Sequence, residues 1–126
     1  HYLYVEYPEF DMMKLPFESG SFDLVVHSDT LEHVPDPNAG LSECRRILRN
    51  EGACIFTVPI IMERLDRSRD GLIKSYHGSP ETDAGALVVH TEFGADFWQK
   101  IIMSGFSACT IHSFDYPAGL AIKATF

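Results

Sequence analysis

A chain of 126 residues, 45% hydrophobic and 12% aromatic, has material for one globular domain with a real core. Its formal net charge of −8 argues against a general nucleic-acid binder, which needs a basic surface to neutralise phosphates. No run of about 18 apolar residues is present to span a membrane.

The sequence opens on His1 with no charged-then-apolar leader behind it, and reads as beginning inside a longer protein. The turn-rich stretch Leu15–Ser21 precedes a first strand, Phe22 to His27, short and β-branched as a strand covered on both faces is. Asp29 to Val34 suits a short helical turn, closed by Pro35 and Pro37. Asp36 then stands as an N-cap with Pro37 in the first helical position. Leu41, Cys44, Ile47 and Leu48 recur at helical spacing behind it, and Asn50-Glu51-Gly52 stops that helix before a second buried strand, Ala53 to Pro59. Ile60 to His90, punctuated by Gly78, Pro80 and Gly85, is the least periodic part and reads as a partly helical excursion off the sheet. Phe93, Phe97, Trp98, Ile101 and Ile102 predict a second amphipathic helix capped by Gly105, with Phe97 and Trp98 in the core. Two strands near 106–114 and 120–126, joined by Asp115–Gly119, make a terminal antiparallel hairpin. Cys44, Cys54 and Cys109 lack metal-type C-x-x-C spacing and read as free, buried thiols in a reducing compartment, which points to the cytoplasm. His77, His90 and His112 are too scattered in sequence to suggest a metal.

Four motifs stand in order: Asp11-x-x-x-Leu15-Pro16-Phe17, Ser21-Phe22-Asp23-Leu24-Val25, Leu31-Glu32-His33-Val34-x-Asp36-Pro37, and Glu43-x-x-Arg46-x-Leu48. Together they resemble the type 11 family of class I S-adenosylmethionine-dependent methyltransferases, strongly from Asp11 to Pro59 and more weakly through the hairpin. The resemblance implies an α/β fold: a partial Rossmann-like sheet made of strands four to seven, the last antiparallel, flanked by helices, all in one truncated domain over 1–126. It implies S-adenosylmethionine as cofactor and a small-molecule acceptor. By position, Asp11 would accept a hydrogen bond from the adenine amino group and Met12 would lie beside the ring. His27, Ser28 and Thr30 would face the methionine portion at the carboxyl end of their strand, although Ser28 and Asp29 also suit a simple turn cap. His33 is the candidate catalytic base; the alternative is an architectural imidazole. Glu32 reads as solvated or paired. Arg64, Arg67, Arg69 and Lys74 suit either an anionic acceptor or, more simply, a solvated face balancing nearby acids.

The family's glycine-rich turn and ribose-binding acid have no counterpart here, and the chain contains no Gly-x-Gly. These residues alone are therefore expected to bind the cofactor weakly or not at all. Without strands one and two, the first strand becomes an exposed edge, to be covered by His1–Phe10 or by a second copy in a homodimer. The rival readings are an interaction module that kept the fold but lost the cofactor, and a nucleotide-dependent oxidoreductase. The terminal hairpin and Leu31–Val34 weigh against the second.

Overall fold

The computed structural model describes residues 1–77, 88–115 and 119–126. Four strands form the main sheet: β1 (Phe22–Ser28), β2 (Leu48–Thr57), β6 (Ala108–Phe114) and β7 (Gly119–Thr125), in the order β1-β2-β7-β6. β1 and β2 are parallel, so the chain must cross over between them; it does so through a 3-10 turn at Leu31–His33 and the helix α1 (Pro37–Ile47). β7 inserts between β2 and β6, antiparallel to both, as the terminal hairpin predicts. The hairpin's tip at Tyr116, Pro117 and Ala118 lies outside the described residues, as do Gly78, Pro80 and Gly85.

Register explains where the core sits. Val25, Cys54 and Ala124 form one cross-strand row, and His27, Phe56 and Ile122 the next. Cys54, Phe56, Ile122 and Ala124 in these rows are fully buried beneath α1 and α2 (Trp98–Met103). Two side chains tie the helices to each other: Ser104 Oγ donates to the Asn38 carbonyl at 3.2 Å, and Arg45 Nε donates to that of Gly105 at 3.1 Å. The opposite face bears the rows through Leu24 and Val26, which are 50% and 66% exposed.

The start of α1 follows its sequence: Asp36 Oδ1 accepts from Asn38 and Ala39 N–H at 3.0 and 3.1 Å, satisfying two of the helix's free donors. Its end does not. The helix stops at Ile47, and the chain is extended from Leu48 rather than Ala53. Gly52 permits this: a Cβ there would lie 2.9 Å from the Asp23 carbonyl oxygen, so only glycine lets β2 approach β1 so closely.

The expected second helix is also shorter. Thr91–Gly94 forms a strand, β5, pairing parallel with β3 (Ile60–Ile61) and antiparallel with β4 (Arg67–Ser68). Within the described residues the excursion is thus a small three-stranded sheet and not helical. Phe93 is buried from β5 instead of from a helix, while Trp98 and Ile102 are 46% and 41% exposed, so Trp98 is not a core aromatic. Residues 1–10 form no strand, and among the described residues β1 has a single neighbour, β2.

Candidate functional site

The spaced motifs meet in space. Arg46 donates through Nε and Nη2 to the two oxygens of Glu43 at 2.7 and 2.8 Å, and through Nη1 and Nη2 to the carbonyls of Phe17 and Leu15 at 2.7 and 2.9 Å. Glu43 in turn accepts from Leu15 N–H at 2.8 Å. Such a bidentate, charge-assisted clasp is stronger than neutral hydrogen bonds, and Arg46 holds the Glu43 carboxyl below the ordinary carboxylate range. Glu43-x-x-Arg46 on α1 thereby anchors the Leu15-Pro16-Phe17 loop, which carries Asp11 to Met13 to the end of β1.

There a cavity of about 520 Å³ opens, with Asp11, Met12, Val25, His27, Thr30 and His33 in its wall, joined by Val5, Tyr7 and Phe10 of the first segment. Asp11 Oδ1 accepts from Met13 N–H at 2.8 Å, which closes the turn and leaves the second oxygen for other partners. His27 lies flat on Phe56, ring centroids 4.8 Å apart and 14° from parallel, with both ring nitrogens buried and unpartnered. Burial pulls its pKa down to about 4, so the imidazole is neutral at pH 7. Ser28 is not in the cavity wall. Its hydroxyl lies 2.8 Å from Thr57 Oγ1 and donates to Asp29 at 3.1 Å, locking the ends of β1 and β2 together. Asp29 follows with φ +46°, a left-handed conformation that turns the chain sharply at the cavity mouth.

On the far side of the Leu31–His33 turn is a second, smaller pocket of about 190 Å³, lined by Glu32, His77, Ser75, Thr91, Arg64 and Glu92 among others. Glu32 is 2% exposed, so it is not solvated, and among the described residues neither of its carboxylate oxygens has a hydrogen-bond partner. Burial raises its pKa. His33 Nδ1 is 2.9 Å from the Val88 carbonyl oxygen, and its Nε2 is 3.7 Å from Glu32 Oε1. His77 Nδ1 approaches the same oxygen at 3.5 Å, so the histidines are less scattered than their sequence positions suggest; His112 stays on β6. Arg64, Arg67 and Arg69 all pair with Glu92, Arg64 at 2.7 Å. Burial opposes charge on Glu92, but the three guanidiniums outweigh it and hold the carboxyl below its usual range. Lys74 is not among these partners.

Comparison with known proteins places this architecture. Residues 1–56 match the family described as "Methyltransferase domain". Over 60 residues, 48% of this chain and 20% of the relative, the sequence is 38% identical to a sarcosine/dimethylglycine N-methyltransferase of Halorhodospira halochloris. An S-adenosylmethionine-dependent methyltransferase from Mesorhizobium loti superposes on 90% of this chain and 66% of its own, with a TM-score of 0.62 at 19% identity. PigF, solved with SAH, covers 93% of this chain and 34% of its own, with a TM-score of 0.61 at 18% identity. In its match to the Halorhodospira enzyme, the chain thus spans a fifth of that relative's length. Through its first 56 residues the chain matches the methyltransferase-domain family, and its sheet carries the fold seen in solved S-adenosylmethionine-dependent methyltransferases.

Proposed function

We propose that this chain forms part of the donor site of an S-adenosylmethionine-dependent methyltransferase acting on a small-molecule acceptor. The observation that carries this reading is the cavity at the carboxyl end of β1, where open α/β sheets bind their ligands. Its volume falls within the range of about 300–1,000 Å³ typical of small-molecule and cofactor sites. Its donor set also suits the cofactor. Asp11 offers an unused carboxylate oxygen to an exocyclic amine, Met12 and Val25 offer apolar contact, and a neutral His27 adds no positive charge to repel a sulfonium. Bound there, the cofactor supplies an already activated methyl group. The protein's part is then mostly to position the acceptor in line with it and to exclude water. For an acceptor that must lose a proton, His33 in the cavity wall is the proposed base. With Nδ1–H donated to the Val88 carbonyl, the lone pair is on Nε2. Ser28 serves the site indirectly by fixing the turn behind His27. The non-catalytic alternative keeps the same sheet but gives the cavity no ligand.

Saturation-transfer NMR with SAH and, separately, NAD separates the readings. SAH is expected to receive saturation at both its adenine and its amino-acid-side protons, and NAD, which shares only the adenosine half, a weaker signal confined to its adenine. Asp11→Ala is expected to reduce the SAH signal severalfold. Equal signals from both ligands, or an SAH signal unchanged in Asp11→Ala, would remove the basis for the proposal.

A further inference from the structure

We propose that Glu32, His33 and His77 form a binding site for a divalent transition-metal cation, zinc being the best match, opening into the smaller pocket. The inference goes beyond the cofactor reading: Glu32 and His77 line the pocket on the other side of the Leu31–His33 turn, and only His33, which also borders the larger cavity, is shared between the two sites. The three donor atoms lie within 4.8 Å of one another, with Glu32 Oε1 at 3.7 Å from His33 Nε2 and 3.5 Å from His77 Nδ1. A tetrahedral zinc ion with bonds of about 2.0–2.1 Å holds its ligand atoms about 3.4 Å apart, so only small side-chain shifts separate this cluster from coordination. The two imidazole planes are perpendicular, with centroids 4.9 Å apart, as suits two rings pointing at one centre rather than stacking.

Two further observations point to an occupant. Glu32 is buried with neither oxygen hydrogen-bonded among the described residues, and a buried ionised carboxylate without a partner is costly. Its rival to a metal ion is a proton, and Asp29 adds negative charge nearby that favours either cation. His33 also has the outer contact that metal-bound histidines use: Nδ1 faces a backbone carbonyl at 2.9 Å, which fixes the tautomer and aims the Nε2 lone pair inward. Two histidines and a carboxylate supply three ligands, and the pocket of about 190 Å³ leaves the fourth position for water or an acceptor atom. His77 is 45% exposed and provides the way in. With zinc bound, Nε2 of His33 holds the ion and no longer takes a proton.

The test is titration of the chain with Zn²⁺ by calorimetry and with Co²⁺ by visible absorption. The expected result is one ion per chain, with the ligand-field bands of tetrahedral cobalt and no thiolate charge-transfer band. Changing groups one shell beyond a metal commonly weakens binding 10–100-fold, so His77→Ala and Glu32→Gln, which remove a ligand, are each expected to weaken it by about a hundredfold or more. A thiolate band would place the ion instead at His27, Cys44 and Cys54, a second group of donor atoms within 4.8 Å of one another, and would overturn the assignment. So would unchanged affinity in His77→Ala, or no binding at about a millimolar. If Glu32→Gln fails to fold, the half-exposed His77 still yields a decisive variant.

Discussion

Titrated with S-adenosylmethionine, the 126-residue chain is expected to bind no more tightly than about a millimolar, and to sediment and scatter light as a dimer. The cavity wall includes one carboxylate from the Asp11 turn and apolar surface from Met12 and Val25. The sequence holds no Gly-x-Gly turn whose backbone could approach the cofactor closely, and among the described residues β1 has no strand on its outer side to bring a ribose-binding acid. Three or four polar contacts at about 1 kcal/mol each separate millimolar from micromolar binding. Dimerisation follows from the same edge. β1 carries unpaired backbone donors and acceptors along its free side, beside the exposed Leu24 and Val26, and edge-to-edge pairing of two copies satisfies both at once. A proline in the middle of the strand, Val26→Pro, removes a donor and is expected to shift the chain toward monomer. A monomer binding the cofactor at micromolar strength would contradict both halves of this expectation.

The largest stability effect is expected at Gly94. A Cβ at this position would lie 2.2 Å from the Arg64 carbonyl oxygen and 2.3 Å from the Leu65 carbonyl carbon, both main-chain atoms that cannot swing aside. The same glycine donates its N–H to Asp66 at 2.6 Å, and Ala95 N–H donates to the Arg64 carbonyl at 2.7 Å. These contacts fasten β5 against the 64–66 turn and thereby hold Arg64 beside Glu92 and the smaller pocket. Gly94→Ala is expected to lose about 3 kcal/mol or more, at the upper end of overpacking effects and a large share of a small domain's stability. Urea denaturation checks this against Gly119→Ala, whose new methyl meets nothing within 4 Å and is expected to change stability by less than about 0.5 kcal/mol. Equal effects at the two glycines would show that the close approach at Gly94 carries no weight.

The parts legible in the sequence were those fixed by local chemistry. Asp36-Pro37 specified a helix start because the cap and the proline act within three residues. The terminal hairpin implied the antiparallel β7 because a short link admits no other direction. Glu43-x-x-Arg46 was visible as a motif, but its purpose was not. The clasp joins α1 to a loop 28 to 31 residues earlier, and only the fold brings them together. Phe93 misled for a related reason: aromatics at 93 and 97 satisfy helical spacing equally well when the first lies in a strand and the second in the turn after it. Glu32 and His77 are 45 positions apart, and nothing in a linear reading signals that a carboxylate in Leu-Glu-His turns inward to meet a histidine from the excursion. The place of Ser28 after β1 suits a pocket residue and a turn cap alike, and only the fold shows its hydroxyl bonding across to Thr57.

The central claim is that the cavity between the Asp11 turn and the end of β1 is the donor site. An amide-resolved NMR titration of the isotopically labelled chain with several millimolar SAH tests it most directly, since even weak binding can be located residue by residue. The largest shifts are expected at Asp11 to Met13 and Val25 to Thr30, with little change along β6. Shifts centred on β6 or on the small sheet of β3, β4 and β5, or none at either wall of the cavity, would contradict it.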